Sequence, residues 1–88
     1  MNVDEIISGA FMNSMQGEGL FIVEGNPKTN QLRILPADQA LRDNLNCFTW
    51  DINTGFQYLG IFTEQSLAQN HIDKIREKIR NDAGDRLI

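Results

Sequence analysis

Apolar side chains recur at three- and four-residue spacing at Val3, Ile6, Ile7, Ala10, Phe11 and Met15. That period predicts a helix over about residues 3–15 with one buried stripe. Asn2 is placed to cap it, Glu5 is its capping-box companion, and Gly17 and Gly19 end it. Residues 20–24 are apolar and β-favouring, 25–30 are turn-forming, and Leu32 and Ile34 alternate against Arg33 in residues 31–35. This predicts a hairpin with a fairly long connection. Pro36 suits the start of a second helix carrying Ala37, Ala40, Leu41 and Leu45 and ending near Asn44 or Asn46.

Residues 47–52 and 56–61 flank Asn53, Thr54 and Gly55, which predicts a second hairpin with Gly55 left-handed in a three-residue loop. In that register Ile52 faces Phe56, Trp50 faces Tyr58, and the Phe48 ring covers Gly60. A final helix is expected over about residues 63–81, capped by Thr63, with Leu67, Ala68, His71, Ile72, Ile75 and Ile79 buried. Gly84 is its expected stop, and Leu87 and Ile88 either fray or dock at a partner. The expectation is an α+β fold in the order α-β-β-α-β-β-α. One compact domain over residues 1–88, frayed at 84–88, would hold an antiparallel meander of about four strands with helices on one face.

Composition supports a folded chain: of 88 residues 41% are hydrophobic and 23% charged, with two prolines. A domain this short buries only roughly 60–65% of its unfolded surface, which favours self-association or a partner. Cys47 is the single cysteine, so an intrachain disulfide is excluded and a reducing, cytoplasmic setting is expected. Residues 1–20 contain no base, against a secretory leader, and no apolar run reaches the roughly 18–20 residues that a membrane helix needs.

Charge is segregated within a net of −4. Asp4, Glu5, Glu18 and Glu24 make residues 1–27 wholly acidic, whereas residues 73–88 carry five bases against four acids. That balance opposes a nucleic-acid backbone as the main partner.

No chemical motif is complete. Asp51, Asn53 and Gly55 resemble the start of a calcium loop, but Phe56 and Phe62 stand where glycine and glutamate are required. Gly17-Glu18-Gly19 lacks the lysine, third glycine and following helix of a phosphate loop. His71, the only histidine, falls at the edge of an apolar stripe and reads first as a packed, hydrogen-bonded side chain. Cys47 reads first as a small buried hydrophobe.

The expected function is therefore non-enzymatic protein binding, as an adaptor, inhibitor or accessory subunit, with homodimerisation as one form. No catalytic, cofactor-binding or metal-ligating residues are expected. The expected contact residues are Phe48, Trp50, Phe56 and Tyr58 of the aromatic ribbon and Asp4 and Glu5 of the first helix. Two alternatives carry different chemistry. One is nucleic-acid binding by the basic C-terminal helix with exposed rings. The other is a small enzyme pairing Cys47 with His71.

Overall fold

The computed structural model describes residues 2–11 and 18–86, with residues 84–86 described by backbone alone. The first helix ends at Gly9 with Ala10 as its C-cap, short of the expected end near residue 15. Met15, Gly17, Leu87 and Ile88 lie outside the described residues, and with them the fate of the C-terminus.

The element order is α1 (Val3–Gly9), β1 (Phe21–Asn26), β2 (Gln31–Pro36), α2 (Ala37–Thr49), β3 (Gln57–Phe62) and α3 (Gln65–Arg86). It is a small α+β fold with a three-stranded antiparallel sheet in the order β2-β1-β3. Asn2 caps α1 as expected, its Oδ1 accepting the Glu5 backbone N–H at 2.9 Å. The first hairpin also forms: Pro27 to Asn30 make the turn, Asn30 is left-handed (φ 57°), and Asn26 pairs with Gln31.

Neighbouring residues of the central strand point to opposite faces, and each face meets a different helix. Ile22 packs with Ala37 and Ala40 of α2, joined by Leu20, Leu35 and Phe11. Val23 packs with Ala68 and Ile72 of α3, joined by Phe21, Leu32, Ile34, Phe62 and Ile75. Helices thus cover both faces, correcting the expected one-sided arrangement. The reason lies in β1, where Ile22, Val23, Glu24 and Gly25 are all buried, so neither face can be left to water. Alanines at the contacts let both helices approach closely. α1 lies against α2, and Arg42 of α2 is ion-paired with Asp4 of α1.

The second hairpin does not form, and the described residues hold three strands rather than about four. Residues 47–49 continue α2, which outruns its expected end at Asn44 or Asn46. The helix stops in a Schellman turn: the Asp51 N–H reaches the Phe48 carbonyl at 3.4 Å and the Ile52 N–H reaches the Cys47 carbonyl at 2.9 Å. Asp51 takes the left-handed position of that turn (φ 53°). The Phe-Thr-Trp alternation imitates a strand, but the intrahelical hydrogen bonds continue through it, and Thr49 Oγ1 also donates back to Leu45 and Asn46 carbonyls at 3.0 and 3.1 Å. β3 therefore finds its partner in β1.

Two corrections concern β3 and α3. No Phe48 ring covers Gly60. A side chain there would meet the Phe62 ring at 2.8 Å and His71 Nε2 at 3.1 Å, so those two rings use the space. A bulge at Leu59, between the pairs Val23–Gly60 and Glu24–Tyr58, leaves the Leu59 carbonyl to accept from His71 Nε2–H at 3.0 Å. The packed, hydrogen-bonded histidine read from the sequence is what forms. Helix α3 begins at Gln65, which puts Glu64 rather than Thr63 at the cap, and it passes through Gly84 to Arg86. Leu67 and Ile79, both expected in its buried stripe, are 45% and 39% exposed.

Candidate functional site

Directly paired residues in adjacent strands share a face. On the α2 face, one row runs Leu35–Ile22–Ile61 and the next runs Arg33–Glu24–Tyr58. The first row is apolar and its centre lies beneath Ala37 and Ala40. The second places a carboxylate at the middle of the sheet, where Glu24 is 1% exposed.

Arg33 answers that charge. Its Nε and one terminal nitrogen donate to the same oxygen, Glu24 Oε2, at 3.2 and 2.9 Å. The guanidinium carbon also lies 3.8 Å from the centre of the Phe56 ring, a cation–π contact that fixes the Arg33 plane. Because both nitrogens converge on one oxygen, Glu24 Oε1 has no hydrogen-bond partner among the described residues, although it is buried. Such an acceptor costs about 1–3 kcal/mol, more when charged.

Tyr58 completes the row from β3. Its phenol is pushed up to about 12, first by burial and then by the negative charges of Glu24 and Asp43. Asp43 comes from α2, so the field at Tyr58 joins the sheet to the helix above it.

The end of α2 and the following loop close this row into a cleft of about 380 Å³. Glu24 and Arg33 form its floor, Asp43, Asn44, Asn46 and Cys47 its α2 side, and Trp50, Ile52 and Thr54 its loop side. The loop is fastened at its base. Asn26 Nδ2 donates to the Thr54 carbonyl at 3.2 Å, and Asn53 Oδ1 accepts the Gly55 N–H at 2.8 Å. Gly55 is left-handed (φ 82°), as the sequence requires of it, though in a helix-to-strand connection instead of a hairpin. The Asn53 carboxamide is used in closing the turn.

Beside the cleft, three large apolar side chains stand in water within five positions. Phe48 is 84% exposed, Trp50 76% and Ile52 57%. Ile61, on the same side of the sheet, is 62% exposed because α2 packs on β1 and β2 and leaves β3 open.

The expected contact residues therefore separate. Phe48 and Trp50 are exposed together at the end of α2, whereas Tyr58, 37% exposed, lies in the sheet row and Phe56 is half-buried under Arg33. Asp4 and Glu5 lie on α1, where Asp4 is engaged by Arg42. Cys47 and His71 belong to helices on opposite faces of the sheet, so the enzyme built on that pair has no geometry to work with. Arg33 and Asp43 do not stand out in the sequence, and Glu24 does so only as one of the four acids of residues 1–27. The turn at 27–30, two residues shorter than the expected 25–30, sets Glu24 opposite Arg33 as an ion pair crossing an otherwise apolar hairpin.

Among the described residues, no helix is long and apolar enough to cross a membrane, and no group of three or more His, Cys, Asp or Glu side chains is arranged to hold a metal ion. Set against protein-family models, curated proteins and solved structures, the chain matches none.

Proposed function

We propose that the protein acts by binding another protein through the end of α2, with Phe48, Trp50 and Ile52 as the anchoring side chains. The observation that carries this reading is their joint exposure in one short segment held by a hydrogen-bonded helix terminus. Large apolar groups presented together to water are a cost to a monomer that a partner removes. Here the backbone beneath them is already fixed, so little ordering entropy is lost on docking.

The surroundings suggest what the partner looks like. Asp51 lies between Trp50 and Ile52 in sequence, and Asp43 lines the adjoining cleft. An apolar hollow rimmed by lysine or arginine complements that surface. A second copy of a chain with net charge −4 fits it less well, since both rims would be acidic. Nucleic acid fits poorly for a geometric reason: the basic residues of α3 and the exposed rings lie on opposite sides of the sheet.

Photo-crosslinking tests the proposal directly. A benzophenone side chain introduced at position 48 or 50 should give one adduct of discrete mass in cells, while the same group at position 69 of α3 should not. The adduct from position 50 should disappear when Phe48→Ser is added. Identical adducts from all three positions, or none from 48 and 50, would refute the assignment. An adduct of twice the chain mass would replace the foreign partner by a second copy.

A further inference from the structure

We infer that the cleft over Glu24 is a receptor for a cationic side chain, lysine or arginine, that the partner inserts beside the Phe48–Trp50–Ile52 surface. The inference rests on the proposed protein-binding role for its natural occupant, but the cleft's chemistry can be tested without that partner.

Three observations converge on a cation. First, Glu24 Oε1 is a buried acceptor lacking a donor, while Oε2 is doubly served by Arg33. A donor delivered to Oε1 would relieve an existing penalty, a gain that apolar contact elsewhere on the surface does not offer. Second, the ionisable side chains lining the cleft are Glu24, Arg33, Asp43 and Cys47. Arg33 is committed to Glu24 and to the Phe56 ring, which leaves the Asp43 carboxylate uncompensated within the lining. The two carboxylates and the guanidinium of the lining sum to a formal charge of −1. Third, the walls suit a long side chain with a charged tip. Trp50 and Ile52 offer apolar surface to an aliphatic stem, and Asn44, Asn46 and Thr54 offer oxygen acceptors along the way to the carboxylate.

Size agrees: about 380 Å³ falls within the range of small-ligand pockets. A neutral amide could donate to Oε1 but would leave Asp43 unanswered. An anion would meet two carboxylates. Because Oε1 is sealed from solvent, the incoming group reaches it by a rotation of the Glu24 carboxylate or a shift of Arg33, whose side chain is 34% exposed. The bound state then has each carboxylate oxygen facing a donor.

The test uses n-butylammonium and n-butylguanidinium as probes, with n-butanol as the neutral control of like shape. Each is titrated into the full chain, monitored by amide NMR shifts and by the fluorescence of Trp50, the sole tryptophan. The expected result is saturable binding of a cation, with a Kd on the order of 1 mM for so small a probe. The shifts should centre on Glu24, Arg33, Cys47 and Tyr58, and n-butanol should bind at least about tenfold more weakly. Glu24→Gln should lower cation affinity about tenfold. Should that variant unfold, Asp43→Asn is the second test and should weaken the cation while leaving n-butanol unchanged.

Equal binding of butanol and the cations would overturn the inference, as would a crystal structure at saturating probe with only water on Oε1. Phe48→Ser separates this idea from the one it rests on. It should abolish the partner adduct yet leave probe binding intact, since Phe48 does not line the cleft. Probe binding with no partner adduct from any ridge position sinks the docking surface alone. A partner adduct without probe binding sinks the cleft alone.

Discussion

At the scale of single residues, Glu24 sets the terms for its face of the sheet. Buried ion pairs contribute little net stability but are costly to break, because the remaining charge has nowhere to go. Arg33→Met should therefore destabilise the fold by about 2–3 kcal/mol, less than a fully enclosed pair because Arg33 keeps a third of its surface in water. Adding Glu24→Leu should recover most of that loss, as urea denaturation of the single and double variants would show. Tyr58 gives a second handle, since it is the only tyrosine and its ionisation can be followed by tyrosinate absorbance. Its midpoint should fall near about 12 instead of the ordinary 10. The raised value fixes the sign: the unfolded chain releases this proton first, so stability is intact below about pH 10 and falls as pH climbs toward 12. Tyr58→Phe should remove that part of the alkaline loss. None of the three partners is conspicuous alone in the sequence. The pairing of Arg33 with Glu24 depends on a turn at 27–30, tighter than the connection over 25–30 that the sequence predicts, and the contribution of Tyr58 depends on a pairing of β3 with β1 that no local pattern encodes.

At the scale of elements, local signals served well where the deciding interactions are local. The Asn2 cap and the amphipathic run through Ala68, Ile72 and Ile75 formed where spacing and side-chain chemistry place them, and the first hairpin formed with its turn narrowed from the expected 25–30 to 27–30. The aromatic segment misled for a specific reason. A Schellman turn normally announces itself by glycine in its left-handed position, and this one has Asp51. With no glycine to mark a helix end beyond Asn46, residue type alone favours a strand at Phe48, Thr49 and Trp50. The same position yields a prediction. Asp51→Gly removes the steric cost of a side chain at φ 53° and should stabilise the protein by about 1 kcal/mol, measured as a higher denaturation midpoint with unchanged slope. Were the variant instead less stable, the terminus would not be held as described. The ridge depends on this turn, because it aims Phe48, Trp50 and Ile52 outward from a fixed backbone.

For the whole molecule, a single six-residue strand, β1, bears contacts on both faces and both edges, so the two small cores share one spine. This division was not visible from the sequence, because continuous burial of β1 looks the same as a short one-sided apolar run. The radius of gyration is 15.2 Å, against about 12 Å expected for a compact chain of this length. Part of the excess is α3, whose 22 residues extend about 33 Å beside strands only about 20 Å long. Its far end overhangs Leu32 and Leu59, leaving a recess of about 510 Å³ beneath Ile75, Ile79 and Ala83. The overhang implies a graded opening of that helix. Amide deuteration should be slowest around Ala68 and Ile72 and rise stepwise past Ile79, so that the last turns unzip and re-form many times for each global unfolding event. A uniform exchange rate along α3 would mean that the overhanging turns are clamped as firmly as the packed ones.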